Sequence, residues 1–325
     1  MSDVVRKVET LLETLRRDPS KQPDVCDAVN GLLRDGGDAS AIRARITREL
    51  DATQNEAYWG ALDAVLERVP PASDWILQGE RYRPGEDSVK TRALALGALL
   101  QQYEYERLIR EAREDDDGDK ARSDREIVAP DLMREARRHR WLALERVASV
   151  LSEEEREVIE TDPGAWTDAQ CAEASWRSEA FGVVAWALGL VATIPRYDDS
   201  FDDEALLDVY EDILEGRATP TLRSWEEISR ESRRAEEWHT RSKDVEARSA
   251  RDRKTNARAL RPGPSDAEPI DGDMSLFGKA YFALDDEQLE VARAIAHQRR
   301  YAMAWLTGGH FAWDEVTTQD ARALN

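Results

Sequence analysis

The sequence predicts an all-α protein, and three observations carry that prediction. Ala, Glu, Arg and Leu recur throughout the 325 residues, while the Val-Thr-Ile alternation of strands is nearly absent. Apolar residues return at helical spacing in segment after segment along the chain. The third observation is residues 172–195, AEASWRSEAFGVVAWALGLVATIP, the longest apolar segment of a heavily charged chain. Phe181, Val184, Leu188 and Val191 form one stripe on it, and Trp176, Val183, Trp186 and Leu190 form another. A helix apolar on most sides is buried on most sides, so this one is expected at the centre of the fold. Gly182 and Gly189 are read as places where a neighbouring helix comes close. Burying Phe181, Trp186 and Leu188 at roughly 1.5 to 3 kcal/mol each outweighs a glycine cost of up to ~1 kcal/mol. Glu173, Arg177 and Glu179 leave too short an uncharged run for a membrane span, and Pro195 marks the stop.

The remaining elements follow in order. Val5, Val8, Leu12 and Leu15 share one face of a first helix, and Val25, Cys26, Val29, Leu32 and Leu33 repeat the pattern up to Gly36-Gly37. Asp38 or Ser40 caps a third helix through Leu50, and Thr53 opens a fourth with Ala57, Ala61, Leu62, Val65 and Leu66 facing inward before Pro70-Pro71. Residues 86–112 predict a longer helix. Together, residues 1–110 read as an N-terminal helical domain, a bundle or a solenoid-like array. Residues 111–126, dense in charge and without large apolar side chains, read as an exposed linker and the domain boundary. Residues 127–325 then form a C-terminal helical domain. Its first helix should turn Leu132, Trp141, Leu144 and Val147 or Val150 inward, and Arg134, Arg137, Arg138 and Arg140 mostly outward against nearby acids. Asp202 or Asp203 caps a helix over 202–215, and Leu222, Trp225, Ile228 and Trp238 mark the buried stripe of another. The proline-bearing residues 249–273 read as a flexible insertion. A last helix runs from the Asp285 and Gln288 capping pair to Leu306, with Leu289, Ala292, Ala296, Met303 and Leu306 inward and Gly308-Gly309 at its end.

Composition narrows the function classes. With 67 acidic against 46 basic residues the net charge is −21, a field that repels nucleic acid and anionic membranes and leaves a basic protein as a conceivable partner. Cys26 and Cys171 do not read as a disulfide or a metal knuckle. The N-terminus lacks the apolar core of a signal peptide, so the cytoplasm is the expected location.

Three blocks carry a resemblance: WRSEAFGVVAWALGL at 176–190, LRSWEEI at 222–228 with EEWHTR at 236–241, and RRYAMAWLTGG at 299–309 followed by WDEVTTQD at 313–320. In this order and spacing they resemble a bacterial family known only as domain of unknown function 4272, over roughly residues 130–325. The sequence departs from that pattern at Gln298, where an acid is expected, and at Ala304, where a polar residue is expected. The resemblance implies an all-helical fold and brings no activity.

For chemistry, His139, His239, His297 and His310 share no metal-ligand spacing, and neither a nucleophile elbow nor a phosphate loop is present. No catalytic residue, metal or cofactor is assigned. One polar constellation stands out: Arg177, Glu179, Arg223, Glu227, Trp238, Arg241 and Arg299. Glu179 lies on the face of Val183 and Trp186, where a lone carboxylate is costly, so Arg223 or Arg299 is expected to pair with it. Such a group is either a buried structural network or the floor of a polar pocket. The leading expectation is a non-catalytic interaction or adaptor protein, in one variant an acidic, immunity-type partner of a basic protein. The alternative is an enzyme or ligand-binding protein with an Arg/Glu pocket for an anionic small molecule. The oligomeric state is left open.

Overall fold

Helical periodicity becomes helix in nearly every stretch that shows it. The computed structural model describes residues 3–35, 37–70, 75–78, 81–114, 121–246, 269–308 and 313. In order these are α1 (Asp3–Arg17), a 3-10 turn (Pro19–Lys21), α2 (Gln22–Arg34), α3 (Ala39–Ala52), α4 (Glu56–Leu66), β1 (Ile76–Gln78), β2 (Arg81–Arg83), α5 (Glu86–Glu114) and α6 (Ala121–Val147). There follow α7 (Glu153–Glu160), α8 (Asp168–Ala187), α9 (Asp203–Leu214), α10 (Trp225–Glu246), β3 (Ser275–Leu276), β4 (Lys279–Ala280), a 3-10 turn (Tyr281–Ala283) and α11 (Asp286–Leu306). The fold is all-α. The two short antiparallel pairs, β1 with β2 and β3 with β4, are too brief to set a periodicity. The second turns through Phe277 and Gly278, both at positive φ, which gives the backbone twist that a two-residue hairpin prefers.

The chain divides into two compact units, Met1–Ser88 with Gly308–Asn325, and Val89–Thr307. In the first, α1 to α4 enclose Val8, Leu12, Leu15, Val25, Val29, Ile42, Ile46, Tyr58, Leu62 and Val65. Asp38 caps α3 through the Ala41 amide, and Asn55 caps α4 through the Tyr58 amide. Asn55, rather than Thr53, is therefore the start signal of α4; Ala61, Leu62 and Val65 are buried as expected, while Ala57 is exposed and Tyr58 is buried in its place. At the other end of this unit, a Cβ on Gly308, at φ +74°, would overlap the Tyr82 carbonyl of β2, so that position needs glycine.

The second unit starts earlier in the sequence than the charged stretch at 111–126, because α5 packs into it. Ala93, Leu96, Leu99 and Leu100 are buried, and a Cβ on Gly97 would overlap the Tyr210 ring of α9. Helix enters the charged stretch from both sides, and residues 115–120 lie outside the described ones. The end of α5 is held by Arg110 on Asp168 at 2.7 Å and by Arg113 on the Gly164 carbonyl at 2.7 Å.

On α6 the buried residues are Ala136, Ala143 and Val147, and Trp141 faces solvent, opposite to expectation. The buried stripe of α6 is thus made of small and medium side chains, and Trp141 falls outside it. Arg134, Arg137 and Arg138 point outward beside Asp131, Asp162 and Glu135, while Arg140 caps the end of α7 through the Glu160 and Thr161 carbonyls at 3.1 Å each.

The central helix is α8, opened by a Thr167–Gln170 capping box and buried without interruption from Arg177 to Ala187. It ends sooner than its apolar run. Gly189 adopts φ +70°, its amide bonds the Trp186 carbonyl at 2.9 Å, and the Leu190 amide bonds the Ala185 carbonyl at 3.0 Å, a Schellman stop. Gly189 is thus the cap, while Gly182 admits the Phe201 ring from the connection ahead of α9, not another helix. α11 packs against both α8 and α10. Its capping box and all five predicted inward residues are as the spacing requires. Of the predicted flexible insertion, residues 249–268 lie outside the described ones, but its end is structured: Ile270 and Asp273 bridge across an Asp271-Gly272 turn, and Asp273 is buried.

Candidate functional site

The seven residues of the polar constellation fall into three places in the second unit. The deepest is Glu179 of α8 with Arg299 of α11, each 1 % exposed, joined Nε to Oε2 at 2.7 Å. The other Glu179 oxygen accepts the Phe201 amide at 3.0 Å. The Arg299 guanidinium also donates to the carbonyls of Pro195 at 2.6 Å, Arg196 at 3.2 Å and Asp199 at 2.8 Å. Its plane lies 4.9 Å from the Tyr197 ring centre and 5.1 Å from that of Phe201. One arginine thereby gathers the whole turn between α8 and α9, and the carboxylate that neutralises it is hydrogen-bonded on both oxygens. A buried ion pair persists only when its spare donors and acceptors are used in this way.

A second pair flanks it. Arg241 of α10 meets Asp273 in a two-pronged bond, Nε to Oδ1 at 2.9 Å and Nη2 to Oδ2 at 2.7 Å, again at 1 % exposure. Asp273 accepts the Met274 and Phe282 amides as well, so it organises the β3–β4 hairpin. Between the two pairs runs a file of rings: Arg241 lies over Tyr281, Tyr281 is 6.1 Å from Trp238, Trp238 stacks on Tyr197 at 5.0 Å, and Tyr197 carries Arg299. Burial raises the Tyr197 hydroxyl pKa despite the nearby Arg299 charge. The structure thus brings Glu179, Arg299, Trp238 and Arg241 into one spine.

Arg223 and Glu227 stand apart. Arg223 closes the C-terminal end of α8, donating to the carbonyls of Trp186 at 2.7 Å and of Val191 and Ala192 at 3.1 Å each, with its guanidinium 4.9 Å over the Trp186 ring. Glu227 accepts the Ser224 amide and hydroxyl at the start of α10, and the Ser224 bonds hold its pKa below the ordinary range. Arg177 forms the third place. It pairs with Glu173 at 3.0 Å one turn earlier, approaches Glu154, and lies 5.3 Å over Tyr301. Burial pulls its pKa down, but Glu173, Tyr301 and Glu155 together leave it raised. Arg299, and not Arg177 or Arg223, is the partner of Glu179.

Sequence reasoning missed a further buried pair, Arg92 of α5 with Glu155 of α7, where the Arg92 Nη1 reaches both carboxylate oxygens at 3.0 and 2.8 Å. The signal was present, because Ser152 and Glu155 form a capping box. Asp273 gave no such signal, since it lies in a proline-bearing stretch without periodicity. Among the described residues no group of three or more His, Cys, Asp or Glu is placed to hold a metal ion, and no helix is long and apolar enough to cross a membrane. Cys26 and Cys171 are free thiols, and burial raises the pKa of each.

Fold and spine define the second unit as a helical domain built on one buried helix and braced by buried arginine–carboxylate pairs. A family model described as domain of unknown function (DUF4272) matches residues 121–258, consistent with the family that the sequence blocks resemble. The match takes in the blocks at 176–190, 222–228 and 236–241 and ends ahead of the one at 299–320. No curated protein and no solved structure matches the chain.

Proposed function

We propose that the protein is a non-catalytic interaction or adaptor protein of the cytoplasm that holds another protein rather than transforming a small molecule, in one variant as the acidic, immunity-type partner of a basic protein. The observation that carries this reading is the use made of Arg299. Its guanidinium is 1 % exposed and spent on Glu179 and on the carbonyls of Pro195, Arg196 and Asp199. Arg241 is tied to Asp273 through Nε and Nη2, its Nη1 being buried without a hydrogen-bond partner, and Arg223 is tied to the end of α8. Arginines so occupied have little left to offer an anionic substrate. The acidic surface and the exposed tryptophans supply what an interaction protein needs, a charged field with apolar anchors.

Thermal melts test the reading against a pocket for an anionic metabolite. The wild type should melt at the same temperature with and without a small-molecule extract of the host, and Arg299→Met should melt far earlier, because Glu179 is left buried and unpaired. A wild-type shift with extract, lost in an Arg299→Met variant of undiminished stability, would sink the proposal.

A further inference from the structure

The stripe Arg134, Arg137, Arg138 and Trp141 on α6 is built for contact. These positions lie three and four residues apart and so share one helix face. Trp141 is 59 % exposed, and the three arginine side chains are each at least half exposed. The core side of α6 is supplied by Ala136, Ala143 and Val147, so Trp141 does no packing that would account for a tryptophan there. Trp and Arg are among the side chains that most often dominate protein interfaces, and here three arginines and one tryptophan share an outward face of a chain whose net charge is −21.

We propose that this face docks an acidic segment of a partner protein, its carboxylates on Arg134, Arg137 and Arg138 and an apolar side chain on Trp141. The proposal rests on the interaction reading above in its general form, not on the basic-partner variant, and names the chemistry of the docked segment. The arginines are available for exchange: they meet Asp131 at 2.9 Å, Asp162 at 4.0 Å and Glu135 at 3.4 Å, all exposed acids. Exposed pairs of that kind are worth only about 0 to 1 kcal/mol, so a carboxylate arriving with apolar cover for Trp141 can displace them. The length of the stripe argues for a short acidic segment over a polyanion. Two helical turns span about 10 Å. Duplex DNA carries a charge every ~1.7 Å and would run beyond the arginines onto an acidic surface. At physiological salt the field of distant carboxylates is damped within about 8 Å, so the local arginines govern the final approach of a short segment.

Selection of a random phage-displayed peptide library on the full-length protein tests this. Enriched peptides should carry two or more carboxylates beside an aromatic or aliphatic residue. Their affinity, read by fluorescence anisotropy, should fall about tenfold or more in Trp141→Ser and in Arg138→Glu. It should also weaken with added salt and hold in Trp59→Ser, a change at an exposed tryptophan of the first unit. Circular dichroism melts should be unchanged in all three variants, which excludes unfolding as the cause. Enrichment of basic or uncharged peptides, or none, would overturn the proposal. So would tighter binding of oligothymidylate or of phosphatidylglycerol vesicles through the same residues. Peptides that bind the wild type and both α6 variants equally would remove this assignment and leave the interaction reading standing, whereas a metabolite shift lost in Arg299→Met would remove that reading whatever the library returned.

Discussion

The first unit closes around Val8, Leu12, Leu15, Ile42, Ile46 and Leu62 and keeps its charges at the rim, whereas the second places Arg299–Glu179 and Arg241–Asp273 at its centre with side chains 1 % exposed. In the first unit the comparable cluster is Glu49 with Arg16, Arg45 and Tyr58, and its Arg16 is more than half exposed. Apolar contact is non-directional and tolerates repacking, while a buried ion pair admits one geometry and penalises every other. The two units therefore differ in what specifies them. Volume and pattern shape the first, and hydrogen-bond direction shapes the second.

The largest expected effect follows from removing one partner of a central pair. Arg299→Met and Arg241→Met should each lower unfolding free energy by about 3 to 5 kcal/mol in denaturant melts, because Glu179 or Asp273 is then left charged in a dry site. Glu49→Gln in the first unit should cost within about 1 kcal/mol, since water reaches its arginines. Adding Glu179→Gln to Arg299→Met should recover part of the loss by removing the uncompensated charge. Equal costs in the two units would break the comparison.

Glycines sharpen it at intermediate size. Gly182→Ala places a methyl against the Phe201 ring in the second unit and should cost about 1 to 3 kcal/mol by overpacking. In the first unit Gly60, inside α4, has open space where a Cβ would go, so Gly60→Ala should stabilise by roughly 0.5 to 1 kcal/mol. Thermal melts of the two variants should move in opposite directions.

The smallest effects appear as pH dependences of opposite sign. For Glu49, burial raises the pKa, but the hydrogen bonds from Arg16 and Arg45 outweigh it and leave the carboxyl below its ordinary 4.5. Its contribution is thus present above the unfolded value and lost as pH falls through the lower folded one. Asp203 at the start of α9 is raised above its ordinary 3.8 by burial, with Glu104, Glu179 and Asp202 adding to the shift against a Ser178 hydrogen bond. The unfolded state releases that proton more readily, so the ionised form of Asp203 opposes folding at neutral pH, and the opposition fades as pH falls through the raised value. Asp203→Asn should gain stability at neutral pH, within about 1 kcal/mol, and lose the gain on acidification, whereas Glu49→Gln should be most costly at neutral pH.

How much of this was legible follows the same division. Helix ends coded by short-range chemistry were readable, as in the Asp285–Gln288 capping box and the buried stripe from Leu289 to Leu306. The need of Glu179 for an arginine was also readable, because a carboxylate on an apolar face has few alternatives. The distant identity of that partner was readable only as a choice between Arg223 and Arg299. Trp141 was misplaced because hydrophobicity alone assigns tryptophan inward, whereas the contact stripe of α6 is made of Ala136, Ala143 and Val147. Arg241 was singled out, but its partner was not: Asp273 comes from beyond a long aperiodic stretch, and periodicity carries no information about such a pairing.

The Arg299 bond to the Pro195 carbonyl spans 104 positions of sequence. On a ribosome, residues 195–201 emerge long before the arginine that gathers them has been synthesised. Until then Glu179 has no partner at the heart of its helix, and the turn to α9 has no cation to collect its carbonyls. Loop closure over such a distance comes late, because its entropy must be overcome before any contact rewards it. Completion of the second unit therefore waits on its final helix, and a chain that stops short of α11 lacks the charge that makes α8 burial tolerable. Termination ahead of α11 should accordingly yield a chain recognised by proteases and chaperones as unfinished.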